Sequence, residues 1–199
     1  MLTADIQLND TSDWENWSTT APANSWTAIG TNINSFKGIF DGQGHTISGV
    51  YINTSSNYQG LFGYCYGSTI KNVGVTKSYI KGGYRIGGVV GENRGTITNS
   101  YNTGTVSGKY YIGGVVGTNN SRIINCYNTG DASGTLNKDR GVGGVVGVSY
   151  GTITNSYNTG SVSGTSSVGG VVGSNMNTNT ITNCYYLSGT ASSGVSSGT

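Results

Sequence analysis

One motif recurs along this chain and restricts its fold more than any other feature. Gly-Gly-Val-Val-Gly occurs at residues 87–91, 113–117, 143–147 and 169–173, and Gly60-Leu61-Phe62-Gly63 stands in the same place one repeat earlier. The first Gly of the four-residue core falls at 60, 88, 114, 144 and 170, giving spacings of 28, 26, 30 and 26 residues. A second ladder keeps step with it: Asn72-Val73, Asn99-Ser100-Tyr101, Asn125-Cys126-Tyr127, Asn155-Ser156-Tyr157 and Asn183-Cys184-Tyr185. Asn-Thr-Gly follows the Tyr at 102, 128 and 158. Self-similarity at a fixed period of this length is the signature of a stacked repeat.

Each repeat reads as short strands separated by turns. Val-Val between glycines suits a short buried strand. Thr96-Ile97-Thr98, Thr152-Ile153-Thr154 and Thr180-Ile181-Thr182 alternate polar and apolar, as a half-buried strand does. Val106, Ala132 and Val162 mark a further apolar slot, and Asn-Thr-Gly is turn chemistry. A lone coil cannot bury its own apolar side chains, whereas stacked coils can, with backbone hydrogen bonds about 4.8 Å apart. The expected fold is therefore all-β: a parallel β-helix, or β-solenoid, of about five to six coils with 26–30 residues each. The coils fall near residues 60–87, 88–113, 114–143, 144–169 and 170–187. Five or six of them make a rod roughly 25–30 Å long. The Gly pairs are expected to turn with positive φ. The long loop from Gly134 to Arg140 and the insertion from Met176 to Thr180 are expected to bulge at corners.

Composition sharpens this picture. The chain has 199 residues with 35 Gly, one Pro, 10% aromatics and only 9% charged residues. Disordered chains instead combine high charge with few aromatics. Gly does not recur every third residue, which excludes collagen. The net charge of +2 comes from scattered residues, so no basic stripe points to nucleic acid. No apolar run reaches about 18 residues, so no membrane insertion by a helix is expected.

The ends differ from the middle. Residues 1–35 lack the ladders and carry Trp14, Trp17, Trp26 and Pro22, which suits an N-terminal cap. The solenoid spans 36–187, and 188–199 is Ser/Gly-rich in the manner of a tail or linker. The start of the chain has neither a basic region nor an apolar stretch, so an exported protein would be part of a larger or processed chain.

Candidate sites follow from the ladders. Asn99, Asn125, Asn155 and Asn183 are expected to stack through side-chain amides. The next slot, Val73, Ser100, Cys126, Ser156 and Cys184, is read as inward-facing. Cys126 and Cys184 would lie two coils apart, roughly 10 Å, too far for a disulfide. Three free thiols are expected, the two ladder ones buried. Tyr101, Tyr127, Tyr157 and Tyr185 form a candidate surface stripe for binding, since aromatic faces stack on sugars and serve at interfaces. No cofactor, metal or catalytic residue is assigned.

The Gly-Leu-Phe-Gly and Gly-Val-Val-Gly cores, with the following Ile-x-Asn-Cys/Ser-Tyr, resemble the GLUG repeats of bacterial secreted and cell-surface proteins. Asp5-Ile6-Gln7-Leu8, Trp26-Thr27-Ala28-Ile29-Gly30 and the segment from Phe36 to His45 resemble the lead-in to such repeats. The resemblance covers about residues 3–187. It implies an extracellular or cell-surface setting and a stalk, an adhesin segment or a self-associating fibre subunit. Such repeats also flank IgA-cleaving metallopeptidases, but one His cannot supply the two zinc ligands of His-Glu-x-x-His.

The leading expectation is a non-catalytic repeat module. Its partners would be itself, by end-to-end stacking, or surface glycans and host proteins. One alternative is a polysaccharide-active β-helix enzyme, which needs two carboxylates facing one cleft. Asp131 with Asp139, and Asp41 beside His45, are the nearest candidates. The other alternative is an ice- or crystal-binding face of Thr-x-Thr pairs at 96/98, 152/154 and 180/182, a rank that Arg122/Ile124 and Lys71 interrupt.

Overall fold

In the computed structural model the chain winds into a parallel β-solenoid of about five turns. The structure describes residues 1–135, 141–176 and 181–197. Every strand pair in it is parallel, and each strand bonds to the strand one coil away. Four sheets run the length of the rod, with seven, five, four and ten strands among the described residues.

The register repeats the sequence spacing. Tyr101 pairs with Tyr127, Tyr127 with Tyr157, and Tyr157 with Tyr185. Val90, Val116, Val146 and Val172 align on another sheet. Ile70, Ile97, Ile123 and Ile153 align on the same sheet and are 0% exposed. Val106, Ala132 and Val162 form the expected apolar slot. One continuous core results, running from Ile47 to Val172. Each fully buried Val or Ile contributes roughly 1.5–3 kcal/mol relative to exposure. A coil gains this only with a neighbour on each side, so stacking and folding are one event.

The Gly pairs differ from expectation. None of Gly87, Gly88, Gly113, Gly114, Gly143, Gly144, Gly169 or Gly170 has positive φ. They are required for space instead. A Cβ on Gly88 would come within 2.5 Å of Asn102 Cγ. Gly114 and Gly144 meet Asn128 and Asn158 in the same way, and Gly170 meets the Tyr186 ring. The left-handed conformation falls to Asn72, Asn99, Asn125, Asn155 and Asn183, with φ of 49–55°. Asn tolerates that region better than most residues with a side chain.

Residues 2–36 run along the free edge of the first complete coil. Ile6–Gln7 pairs with Ile47 and Ser48, and the amides of Trp26, Ile29 and Phe36 donate to the carbonyls of Tyr51, Leu61 and Tyr64. A 3-10 turn, Trp14–Asn16, then lies against the side of the rod. Trp17 is buried there edge-on to Tyr51, which stacks on Tyr79, in a small cluster separate from the main core. At the other end the Ser/Gly-rich stretch is more than a tail or linker. Val195–Ser197 pairs with Val172 and Ser174, and Ala191 and Val195 pack on the core. Small residues suit this place because the strand must close over Gly169 and Gly170.

Candidate functional surface

The side-chain ladders are the most regular chemistry on the molecule. At one corner Asn99 Nδ2 donates to Asn72 Oδ1 at 3.0 Å, Asn125 to Asn99 at 3.0 Å, Asn155 to Asn125 at 3.2 Å, and Asn183 to Asn155 at 3.2 Å. The chain of amides has one direction, and it starts on a carboxylate: Asn72 Nδ2 donates to Asp41 Oδ1 at 3.0 Å. Asp41 also accepts from the Gln43 amide and pairs with Lys71 at 3.1 Å. The backbone bond from Gln43, then the Asn72 amide and Lys71, hold the Asp41 carboxyl down at about 2. Asp41 is thus the start of the ladder and does not pair with His45. His45 Nδ1 lies 3.3 Å from Asp5 Oδ1 instead.

A second ladder is buried. Asn102, Asn128 and Asn158, which read as turn residues in the sequence, are 0% exposed. Asn102 Nδ2 donates to Asn128 Oδ1 at 2.9 Å, and Asn128 to Asn158 at 2.8 Å. Each amide also donates to the carbonyl of the Gly two residues on, at Gly104, Gly130 and Gly160. The ladder occupies the space left by Gly88, Gly114 and Gly144. The sequence signal is the Asn that stands fourteen residues after Gly88, Gly114 and Gly144. A third, shorter ladder joins Asn93, Asn119 and Ser149.

The Tyr stripe has a specific geometry. The rings of Tyr101 and Tyr127 are stacked 4.6 Å apart at 5°, and those of Tyr127 and Tyr157 are 5.0 Å apart at 4°. Tyr185 continues the register and is 67% exposed. Stacked this way, Tyr101, Tyr127 and Tyr157 cover one another's faces. The Tyr101 ring also lies against Gly74, so these three rings do not offer the row of open faces that sugar stacking uses.

All three cysteines are free thiols. Burial pushes Cys65 and Cys126 up to about 12. Cys184 was expected to be buried and is only half-buried, because the strands beside it, Ile181–Thr182 and Tyr185–Tyr186, are paired on one side alone. Among the Thr pairs, Thr96 and Thr152 flank Arg122 in register, and Thr98 and Thr154 flank Ile124. Thr180 lies outside the described residues, as does Asp139. Asp131 Oδ1 accepts the Ser161 amide at 3.2 Å.

Sequence reasoning missed one cluster. Just before each Gly pair stands a residue that aligns from coil to coil: Tyr58, Arg85, Tyr111, Gly141 and Ser167. Just after the motif stands another rank: Tyr64, Glu92, Thr118, Val148 and Ser174. The close approach at Gly91, Gly117 and Gly147 sets the two ranks side by side. In the first coils they form one unit. The Arg85 guanidinium lies between two rings, 5.2 Å from Tyr58 and 5.6 Å from Tyr111. Glu92 is buried and pairs with Arg85 at 2.9 Å and Arg94 at 2.8 Å, while Arg94 sits 5.9 Å from the Tyr64 ring. No repeated residue type marks these positions, so periodicity could not reveal them.

A rod of parallel coils, each joined to the next by side-chain ladders, defines a solenoid repeat domain. Its middle coils are GLUG repeats: residues 82–107, 108–133 and 139–163 match the GLUG motif. Two curated relatives are similar over part of the chain. Halomucin of Haloquadratum walsbyi is 36% identical over 110 residues, which is 53% of this chain and 1% of Halomucin. A protein of Evansella cellulosilytica described as a Gly-rich membrane protein is 38% identical over 79 residues, 37% of this chain and 9% of that one. The chain therefore spans only a small part of the relatives it matches. No solved structure matches it.

Proposed function

We propose that this chain is a non-catalytic structural module of a secreted or cell-surface protein, a short rigid rod that spaces or presents other parts of its parent. The observation that carries the reading is the use of polar side chains. Amides and hydroxyls that a catalytic face would aim at a substrate are spent from coil to coil, in the corner ladder and in the buried one. Acids are used in the same way: Asp5 and Asp131 accept backbone amides, Asp41 starts a ladder, and Glu92 holds two guanidinium groups. The names of the two relatives, a halomucin and a Gly-rich membrane protein, support the surface setting.

The test is the shape and association of the purified protein. Electron microscopy and small-angle scattering should show short rods whose length does not change with concentration. End-to-end filaments would replace the spacer with a fibre subunit. New reducing ends released from pectin, alginate or mucin glycans would overturn the non-catalytic reading.

A further inference from the structure

We propose that the Tyr/Arg cluster of the first coils is a binding site for an acidic polysaccharide, with Arg94 and Arg85 taking its carboxylate or sulfate groups. The repeat itself provides the control. At the same two ranks the later coils carry Gly141, Val148, Ser167 and Ser174, and their strands keep the same parallel register. The coil therefore does not need tyrosine, arginine or a buried carboxylate there. Something other than stacking accounts for their presence.

The chemistry selects the ligand. Two guanidinium groups face one carboxylate, so the cluster carries a net positive charge. Glu92 takes the Nε side of both Arg85 and Arg94. The hydrogen bond from Arg94 Nε fixes the plane of that fork while the Arg94 side chain stays 45% exposed. A fixed, exposed guanidinium edge suits bidentate pairing with a carboxylate or sulfate. Tyr58 and Tyr111 brace Arg85, and the Tyr66 ring, in register with Arg94, is 56% exposed. An open aromatic ring beside a charged fork suits a sugar ring bearing an acid. A protein partner would want an apolar centre at the patch, and this one is phenol and guanidinium. The proposal adds a ligand to the rod and does not depend on whether the rod serves as a spacer.

The experiment measures binding of the intact chain to polygalacturonate, dextran sulfate, neutral dextran and poly-glutamate by calorimetry. Arg94→Gln and Tyr66→Ala are compared with Arg122→Gln, which removes the same charge one coil on, beside Thr96 and outside the cluster. Circular dichroism checks that each variant folds. The proposal expects binding to one or both acidic polysaccharides and none to dextran. It expects a loss of about tenfold or more for Arg94→Gln, in keeping with the strength of a charge-assisted pair. Arg122→Gln should stay within about twofold. Preference between polygalacturonate and dextran sulfate tells carboxylate from sulfate. An equal loss for Arg122→Gln, stronger binding to poly-glutamate, or no binding to either acidic polysaccharide would overturn it. Rods that remain intact by microscopy would show that such a failure concerns the ligand and not the fold.

Discussion

Replacing Asn128 by Ala should destabilise the rod more than replacing Asn125, although both are ladder amides three residues apart. Asn128 is 0% exposed and takes part in three hydrogen bonds. It accepts from Asn102 at 2.9 Å and donates to Asn158 at 2.8 Å and to the Gly130 carbonyl at 2.6 Å. Its ladder partners each keep one bond, Asn102 to the Gly104 carbonyl and Asn158 Oδ1 from the Gly160 amide. The loss is then about 1 kcal/mol per bond, or about 3 kcal/mol in all. For a chain of this size that lowers the melting temperature by roughly 6–12 °C. Asn125 is exposed and makes two ladder bonds, to Asn99 and from Asn155. Water replaces these readily. The remaining cost of Asn125→Ala is about 1–2 kcal/mol for placing Ala at left-handed φ, and Asn125→Gly removes that strain. The expected order of destabilisation is Asn128→Ala, then Asn125→Ala, then Asn125→Gly, read from thermal and urea unfolding followed by circular dichroism. If Asn125→Gly proves as damaging as Asn128→Ala, burial does not set the worth of these ladders and the reasoning fails.

Acid should weaken the fold through Asp41. Its carboxyl titrates at about 2 in the folded chain, against 3.8 ordinarily, so its stabilisation is complete above about pH 4 and is lost as pH falls toward 2. Asp41→Asn should flatten that part of the pH–stability curve, and an unchanged curve would refute the assignment. Among the thiols, Cys184 should react first with a thiol reagent under native conditions, with Cys65 and Cys126 protected until unfolding; equal rates would contradict their placement. Gly144→Ala should cost about 1–3 kcal/mol or more from overpacking against Asn158. Gly67→Ala, with open space around it and φ of +61°, should show only the smaller backbone strain. Reversal of that order in thermal melts would mean that the Gly pairs are not there for space.

Much of this molecule could be read from the chain because a solenoid turns sequence offset into spatial contact. Residues one repeat apart are neighbours, so the spacing of Asn99, Asn125, Asn155 and Asn183 already states which amides meet. The same arithmetic aligned the tyrosines and the Val-Val strands, and it kept Cys126 from Cys184. It could not say what happens within one coil. There, limbs far apart along the chain come within contact distance, and only the closed coil shows which atoms compete for space. Gly88 is small because Asn102 lies against it, and no local turn preference contains that fact. Arg85 meets Glu92 because the chain turns between the strands Tyr84–Gly87 and Val90–Thr98 and brings Gly91 against the Arg85 backbone, and the identities at those ranks change from coil to coil, leaving no period to detect. The sequence by itself determined the repeat, its register and its core. Tertiary structure decided which asparagines are buried, why the glycines must be glycine, and where the non-repeating chemistry gathers.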